Sequence, residues 1–195
     1  MKILGTSSLL KTKYLDFKST GYEDTKGAKK YWVWAQRPNG TKAVVIAAVV
    51  DKGWTTLPIG AGYKQDLRLV VIKEFRVPLA DYEYGFPAGL VNKDEDVVEA
   101  AKRELQEETG LTVKRVLMKS PYIYNTAGMT DESIAMVYVE CEGEINKDGL
   151  EASEEIETFL MTPDEVRQLL NDPNKKFGAK AYIIMNYFAR QGNII

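Results

Sequence analysis

Three glutamates, Glu104, Glu107 and Glu108, stand together in the stretch AAKRELQEETG, with Arg103 directly before the first. On a helix, at ~100° per residue, they fall within about 100° of arc on one surface. Carboxylates that close repel one another unless a cation compensates. Arg103 lies four residues before Glu107 and can answer part of this charge. Oxygen ligands in such number suit a hard cation, Mg2+ or Mn2+, held together with substrate phosphates. A solvated acidic face with i,i+4 pairs has the same local composition. What separates the two readings is the spacing of the residues on either side.

That spacing is regular. Gly89, Glu95, Arg103, Glu104, Leu105, Glu107, Glu108, Gly110 and Leu111 follow the pattern G-x5-E-x7-R-E-U-x-E-E-x-G-U, where U is aliphatic. Val97–Thr109 contains no Gly or Pro and is rich in helix formers, so the pattern predicts loop, helix, stop. Asp94, Glu95 and Asp96 put negative charge where the helix begins. Gly110 suits the left-handed position just past its end. Val97, Ala101 and Leu105 form the apolar stripe that docks it.

Around this helix the chain reads as strands with two further helices. Strands are expected at 13–18 (KYLDFK), 31–36 (YWVWAQ), 43–50 (AVVIAAVV), 67–75 (LRLVVIKEF), 113–118, 133–141 and 157–161. A turn is expected at STGYEDTKG, and the run 43–50 is apolar enough to be buried on both faces. Thr162-Pro-Asp-Glu165 is a capping box that opens a second helix, and residues 178–190 form a third, amphipathic one. Strands flanked by helices predict an α/β/α sandwich with a mixed sheet. Residues 1–38 read as a small N-terminal β extension, and residues 39–195 as the main domain.

Composition excludes several chemistries. The chain has 195 residues and no histidine, which removes Ser-His-Asp and Cys-His catalysis and His-ligated zinc. Its only cysteine, Cys141, lies in the alternating run MVYVEC, so it reads as a buried strand residue and no disulfide within the chain is possible. A net charge of −2 offers no basic footprint for nucleic acid or an anionic membrane. The start, MKILGTSSLLKTK, is too polar for a signal-peptide core, and no stretch reaches transmembrane length. A cytoplasmic protein is expected.

The complete pattern from Gly89 to Leu111 resembles the Nudix box, and the chain is similar to Nudix hydrolases, which cleave nucleoside diphosphates linked to another moiety. The resemblance implies the Nudix fold. It implies Glu104 and Glu108 as metal ligands and Glu107 as a third, either a ligand itself or a catalytic carboxylate behind the ligands, with Arg103 orienting the carboxylates and Glu95 in a structural role. The metal would be Mg2+ or Mn2+, two or more ions with substrate bound. The stretch VVIKEFRVPLADYEYGFPAGL resembles the lead-in of the ADP-ribose and nucleoside-diphosphate-sugar pyrophosphatases. That likeness implies Arg76 as a phosphate ligand and the carbonyl of Ala88 as a further metal ligand. It also implies Tyr14 and Trp32 as the aromatics that stack on adenine, one from each subunit of a homodimer with swapped N-terminal regions, and Arg37 as a phosphate-binding residue.

With no histidine, the general base must be a carboxylate. The subfamily takes it from a late loop before the last strand, which matches LEASEEIE here, with Glu154 aligned best and Glu155 in reserve. The loop T126-A-G-M-T-D-E132 resembles the subfamily's S-P-G-x-x-D-E loop and retains Gly128 and Glu132 on the substrate side. Ala127 departs from it, standing where ADP-ribose-specific members carry Pro. The expected reaction is hydrolysis of ADP-ribose or a related ADP-sugar to AMP and the sugar phosphate. GDP-mannose, another nucleotide sugar or a dinucleotide polyphosphate stays open beside it. A Nudix module that binds ADP-ribose without cleaving it is the reading from a different class.

Overall fold

The computed structural model describes residues 1–56, 63–152 and 154–195, apart from the side chains of Asn39, Tyr63 and Lys64. The chain opens with an antiparallel meander of three strands, β1 (Lys2–Lys11), β2 (Asp16–Glu23) and β3 (Lys29–Gln36), which forms a sheet of its own. The strand expected at 13–18 is displaced: residues 12–15 turn the chain between β1 and β2. The Thr12 hydroxyl accepts from the backbone N–H groups of Tyr14 and Leu15, so a side chain closes the turn there. The expected turn at STGYEDTKG begins only after β2, where the Asp24 carboxylate accepts from the N–H groups of Lys26 and Ala28.

The main sheet follows with β4 (Ala43–Thr56), β5 (Tyr63–Arg76), β6 (Asp81–Gly85) and β7 (Ala88–Leu90). After helix α1 (Val97–Thr109) come β8 (Thr112–Lys119), β9 (Ile123–Tyr124), β10 (Ser133–Glu142) and β11 (Ile156–Met161). Helix α2 (Pro163–Leu170), β12 (Lys176–Phe177) and helix α3 (Ala179–Gln191) complete the chain. The order along the sheet is β12-β6-β5-β4-β10-β8, with β11 on β5, β7 on β4 and β9 on β10. β4 with β10 and β6 with β12 are parallel and the other pairs antiparallel, so the sheet is mixed.

The sheet forks between β4 and β5. The two pair from Val49↔Leu69 outward. Inward of that point, β4 at Ala43–Val45 takes β7, and β5 at Ile72–Arg76 takes β6. Because β6 and β7 are consecutive, the short Phe86-Pro87 link spans the fork, and the Pro87 carbonyl accepts from the Ile46 N–H at 2.8 Å. This seats Ala88 and Gly89 beside α1.

Alternation along β4 divides the core into two layers. Val44, Ile46, Ala48 and Val50 face α1, where Val97, Ala101 and Leu105 meet them. Ala47 and Val49 face the other way, against Val166 of α2 and Met185 and Phe188 of α3. The expected sandwich and the docking stripe of α1 are therefore both present. Cys141 is buried in β10, and burial pushes its thiol up to about 12, leaving it inert. No helix among the described residues is long and apolar enough to cross a membrane.

The capping box of α2 is formed: the Thr162 hydroxyl accepts from the Glu165 N–H, and the Glu165 carboxylate accepts from the Thr162 N–H at 2.7 Å. Thr162→Ala is expected to lower stability by about 1 kcal/mol. Urea unfolding with an unchanged m-value would check this, and an unchanged midpoint would contradict it.

Candidate active site

Helix α1 is framed by its ends. The Asp96 carboxylate caps it by accepting from the Val98 N–H, and Gly110 ends it at φ 77°, in the left-handed region. Between these ends Glu104 and Glu108 turn toward β7. Gly89 is the space-giving residue: a β-carbon there would lie 1.9 Å from the Glu104 carboxyl carbon. Glu104 therefore occupies the volume that any other residue type would fill. The Ala88 N–H donates to Glu108 at 3.2 Å, tying β7 to the helix from its other end.

Arg103 organises the remaining charge. One guanidinium nitrogen, Nη1, donates to Glu104 at 2.8 Å and to Glu107 at 2.9 Å. Nε and Nη2 donate to the two oxygens of Glu95, and Nη2 also reaches the Leu90 carbonyl at 3.0 Å. Glu95 in turn accepts from the Asn92 N–H, closing the loop between β7 and α1. This pairing holds the Glu95 carboxyl below its ordinary range and pushes Arg103 up. Of the three carboxylates that Arg103 was expected to orient, it contacts Glu104 and Glu107, and Glu95 lies on its other side.

Ala88, Glu104, Glu107, Glu108 and Arg103 line one cavity of about 560 Å³, and Glu154 lines it from the loop before β11. Glu108 is 5% exposed and, among the described residues, its carboxylate accepts one hydrogen bond, from the Ala88 N–H. Burial, and then the nearby Glu74, Glu104 and Glu154 carboxylates, push it up to about 9, while the Ala88 N–H pulls the other way. Burial also raises Glu104. A buried carboxylate with carboxylate neighbours and one donor is a group that needs a cation. Among the described residues no three acidic, His or Cys side chains already close on one point as a ligand cage. Arg103 bridges Glu104 and Glu107 instead. The donor set fits a hard divalent cation in chemical type: the carboxylates of Glu104, Glu107 and Glu108 line the cavity.

Glu155, the reserve base, does not line this cavity. Its carboxylate accepts the hydroxyl of Tyr82 on β6. Glu74 was not anticipated. It stands on β5, half-buried, accepting from Arg76 at 2.6 Å, with Glu154 close enough to raise it further. A lone Glu in a β-branched run carries no sequence signal for this. The signal is the pairing of Glu74 with Ile156, which brings the β11 loop over it.

The residues expected to hold substrate fall in separate places. Arg76 is paired with Glu74 and, at 3.2 Å, with Glu83. Arg37 is paired with Glu132 at 2.5 Å. Gly128 uses its carbonyl to accept the Trp32 indole N–H at 2.9 Å. Trp32, Trp34, Tyr22, Tyr124 and Ala127 line a second, largely apolar cavity of about 440 Å³ between the N-terminal sheet and the loop before β10. Tyr14 is not on a strand and does not line this cavity. It is exposed in the β1–β2 turn, because Thr12 draws the chain round there.

The family model of the NUDIX domain matches residues 61–182. The chain belongs to the Nudix hydrolase family, whose members generally need a divalent metal ion. It is 31% identical over 166 residues to the ADP-ribose pyrophosphatase of Saccharomyces cerevisiae, covering 80% of this chain and 69% of that protein. It is 29% identical to the ADP compounds hydrolase NudE of Escherichia coli, over 64% of this chain and 61% of that protein. The crystal structure of an ADP compounds hydrolase superposes with a TM-score of 0.70 at 20% identity, covering 100% of this chain and 98% of that one, which establishes the shared fold.

Proposed function

We propose that the protein is a divalent-metal-dependent pyrophosphohydrolase that splits ADP-ribose, or a related ADP-sugar, with water into AMP and the sugar phosphate. The observation that carries this reading is the acidic cavity, where buried Glu108, Glu104 behind Gly89, and Glu154 from a distant loop converge. The names of the relatives from yeast and E. coli support the ADP-linked substrate class.

Glu104 and Glu108 would hold Mg2+ or Mn2+, with Glu107 and the Ala88 carbonyl completing the ligand set and two or more ions present with substrate. The bound metal supplies charge neutralisation on the diphosphate and a more acidic attacking water. Arg103 keeps Glu104 and Glu107 aimed, and Glu95 keeps Arg103 in place. Glu154 takes the proton of the attacking water as general base. Arg76 and Arg37 bind phosphate oxygens by exchanging carboxylate partners for the substrate, a bidentate match for guanidinium. Gly128 holds the substrate-side loop against Trp32, and Glu132 keeps Arg37 in place until the substrate takes it over.

Adenine is proposed to stack on Trp32 in the apolar cavity. A homodimer with swapped N-terminal regions would add Tyr14 from the second subunit. Exposed apolar side chains on the N-terminal sheet, Ile3, Leu9, Leu10 and Val33, support such pairing. A reducing, cytoplasmic setting suits the single thiol.

Trp32→Ala is expected to raise KM for ADP-ribose about tenfold to 100-fold with kcat little changed, the scale of one stacked base. Steady-state kinetics at fixed Mg2+ checks it, and an unchanged KM would move the base elsewhere. The substrate class is tested by product release from ADP-ribose, ADP-glucose, GDP-mannose and NADH in parallel. AMP from the ADP-linked substrates is the expected result. Turnover of GDP-mannose alone would overturn the adenine reading and keep the hydrolytic one.

A further inference from the structure

The segment that carries Glu154 is pinned on both sides of it, and by groups that do no chemistry themselves. On one side, the Asn146 N–H donates to the Thr109 carbonyl at the end of α1 at 3.1 Å. Gly149 then lies flat on the backbone of Glu107, where a β-carbon would come within 2.7 Å of the Glu107 α-carbon. On the other side, the Glu155 carbonyl accepts from the Phe75 N–H at 3.3 Å, and the Glu155 carboxylate accepts from the Tyr82 hydroxyl. Tyr82 is itself held. Its ring meets Phe75 edge-on at 5.4 Å, and the Lys73 ammonium lies 4.4 Å from its centre.

Exposure alternates along the three residues that lead into β11: Glu154 is half-buried, Glu155 exposed and Ile156 buried. Ile156, the first residue of β11, is buried, and Glu154 lines the acidic cavity on the half-buried side. Glu155 points away from both and is taken by Tyr82. Glu154 is held within its own turn, its carboxylate accepting from the Glu151 N–H at 3.0 Å, and the anchoring of Glu155 sets where that turn stands against the cavity.

We propose that Tyr82 and Glu155 form a latch that aims Glu154 into the acidic cavity, so that Glu155 is a positioning residue and not the base. The kinetic side of this rests on the pyrophosphohydrolase reading; the structural side does not. Loss of one hydrogen bond to a charged acceptor is expected to lower kcat about tenfold.

Tyr82→Phe, Glu155→Ala, Glu155→Gln and the double variant Tyr82→Phe/Glu155→Ala separate the roles. Tyr82→Phe and Glu155→Ala are expected to lose about tenfold in kcat for AMP release, with KM within about twofold. Glu155→Gln keeps an oxygen acceptor for Tyr82 and is expected to stay near the wild-type rate. The double variant is expected to be no worse than either single one. Native-state hydrogen exchange of the Phe75 amide, which needs no substrate, is expected to be faster in Tyr82→Phe and Glu155→Ala and unchanged in Glu155→Gln. Glu155→Gln as inactive as Glu155→Ala, with Tyr82→Phe fully active, would make Glu155 the base and overturn the latch. Unchanged exchange in Tyr82→Phe would overturn it as well. Faster exchange in Tyr82→Phe and Glu155→Ala, with a wild type that cleaves no nucleotide sugar, would leave the latch standing and remove the catalytic reading instead.

Discussion

Glu108→Gln is expected to lower kcat for AMP release at least ~100-fold, a loss of about 2.7 kcal/mol in transition-state stabilisation, while the protein still folds. The amide keeps the shape and the oxygen that accepts from the Ala88 N–H. It removes the charge that would bind the cation. Near-normal turnover would end the metal-ligand assignment. The same substitution has a second expected consequence. Burial holds the Glu108 carboxyl at about 9 in the folded chain, against an ordinary value of 4.5. Between those values the folded state binds more protons than the unfolded one, so the stability of the metal-free protein falls as pH rises from about 4.5 to about 9. Glu104 and Glu74, raised by burial too, act in the same direction. Thermal unfolding in EDTA is expected to show a decline of Tm across that window in the wild type. In Glu108→Gln the decline is shallower, and the variant is more stable than the wild type at pH 8. A wild-type Tm that rises across the window would contradict the assignment.

Gly89→Ala is the second large effect, and it dissociates activity from stability. The new methyl would stand 1.9 Å from the Glu104 carboxyl carbon and 2.0 Å from one of its oxygens, so that carboxylate must move by more than an ångström. The clash is with the far end of a flexible side chain, not with backbone, and folding stability is expected to change little. A shift of that size in a group that positions the reacting centre is expected to lower kcat about 100-fold. The pair of measurements is a urea midpoint and a kcat. A stable variant of wild-type activity would show that the place of Glu104 is not needed.

The acidic helix was legible in the sequence because its determinants are local. Asp96 caps it, Gly110 ends it, and Arg103, Glu104, Glu107 and Glu108 need only helical spacing to share a surface. The sandwich was legible for a related reason, since the uninterrupted apolar run of β4 requires cover on both faces. β1 was not legible, because register shifts at Ile3/Gly5 and Ser8/Leu10 break the two-residue alternation that marks a strand. β6 and β7 are too short to carry a periodic signal, and the fork between β4 and β5 sets their pairing. Tyr14 lost its expected strand to one hydroxyl, that of Thr12. Glu74 and the Tyr82–Glu155 contact depend on segments some eighty residues apart in the chain, a proximity that only the β5–β11 pairing creates.

The most direct test of the account is AMP release from ADP-ribose by the wild-type chain and by Glu108→Gln, each titrated with Mg2+ from an EDTA-treated start. The expected result is no turnover without metal, saturable activation of the wild type, and at least ~100-fold less activity in Glu108→Gln at any Mg2+ concentration. Metal-independent turnover, or equal activation of the two proteins, would contradict it.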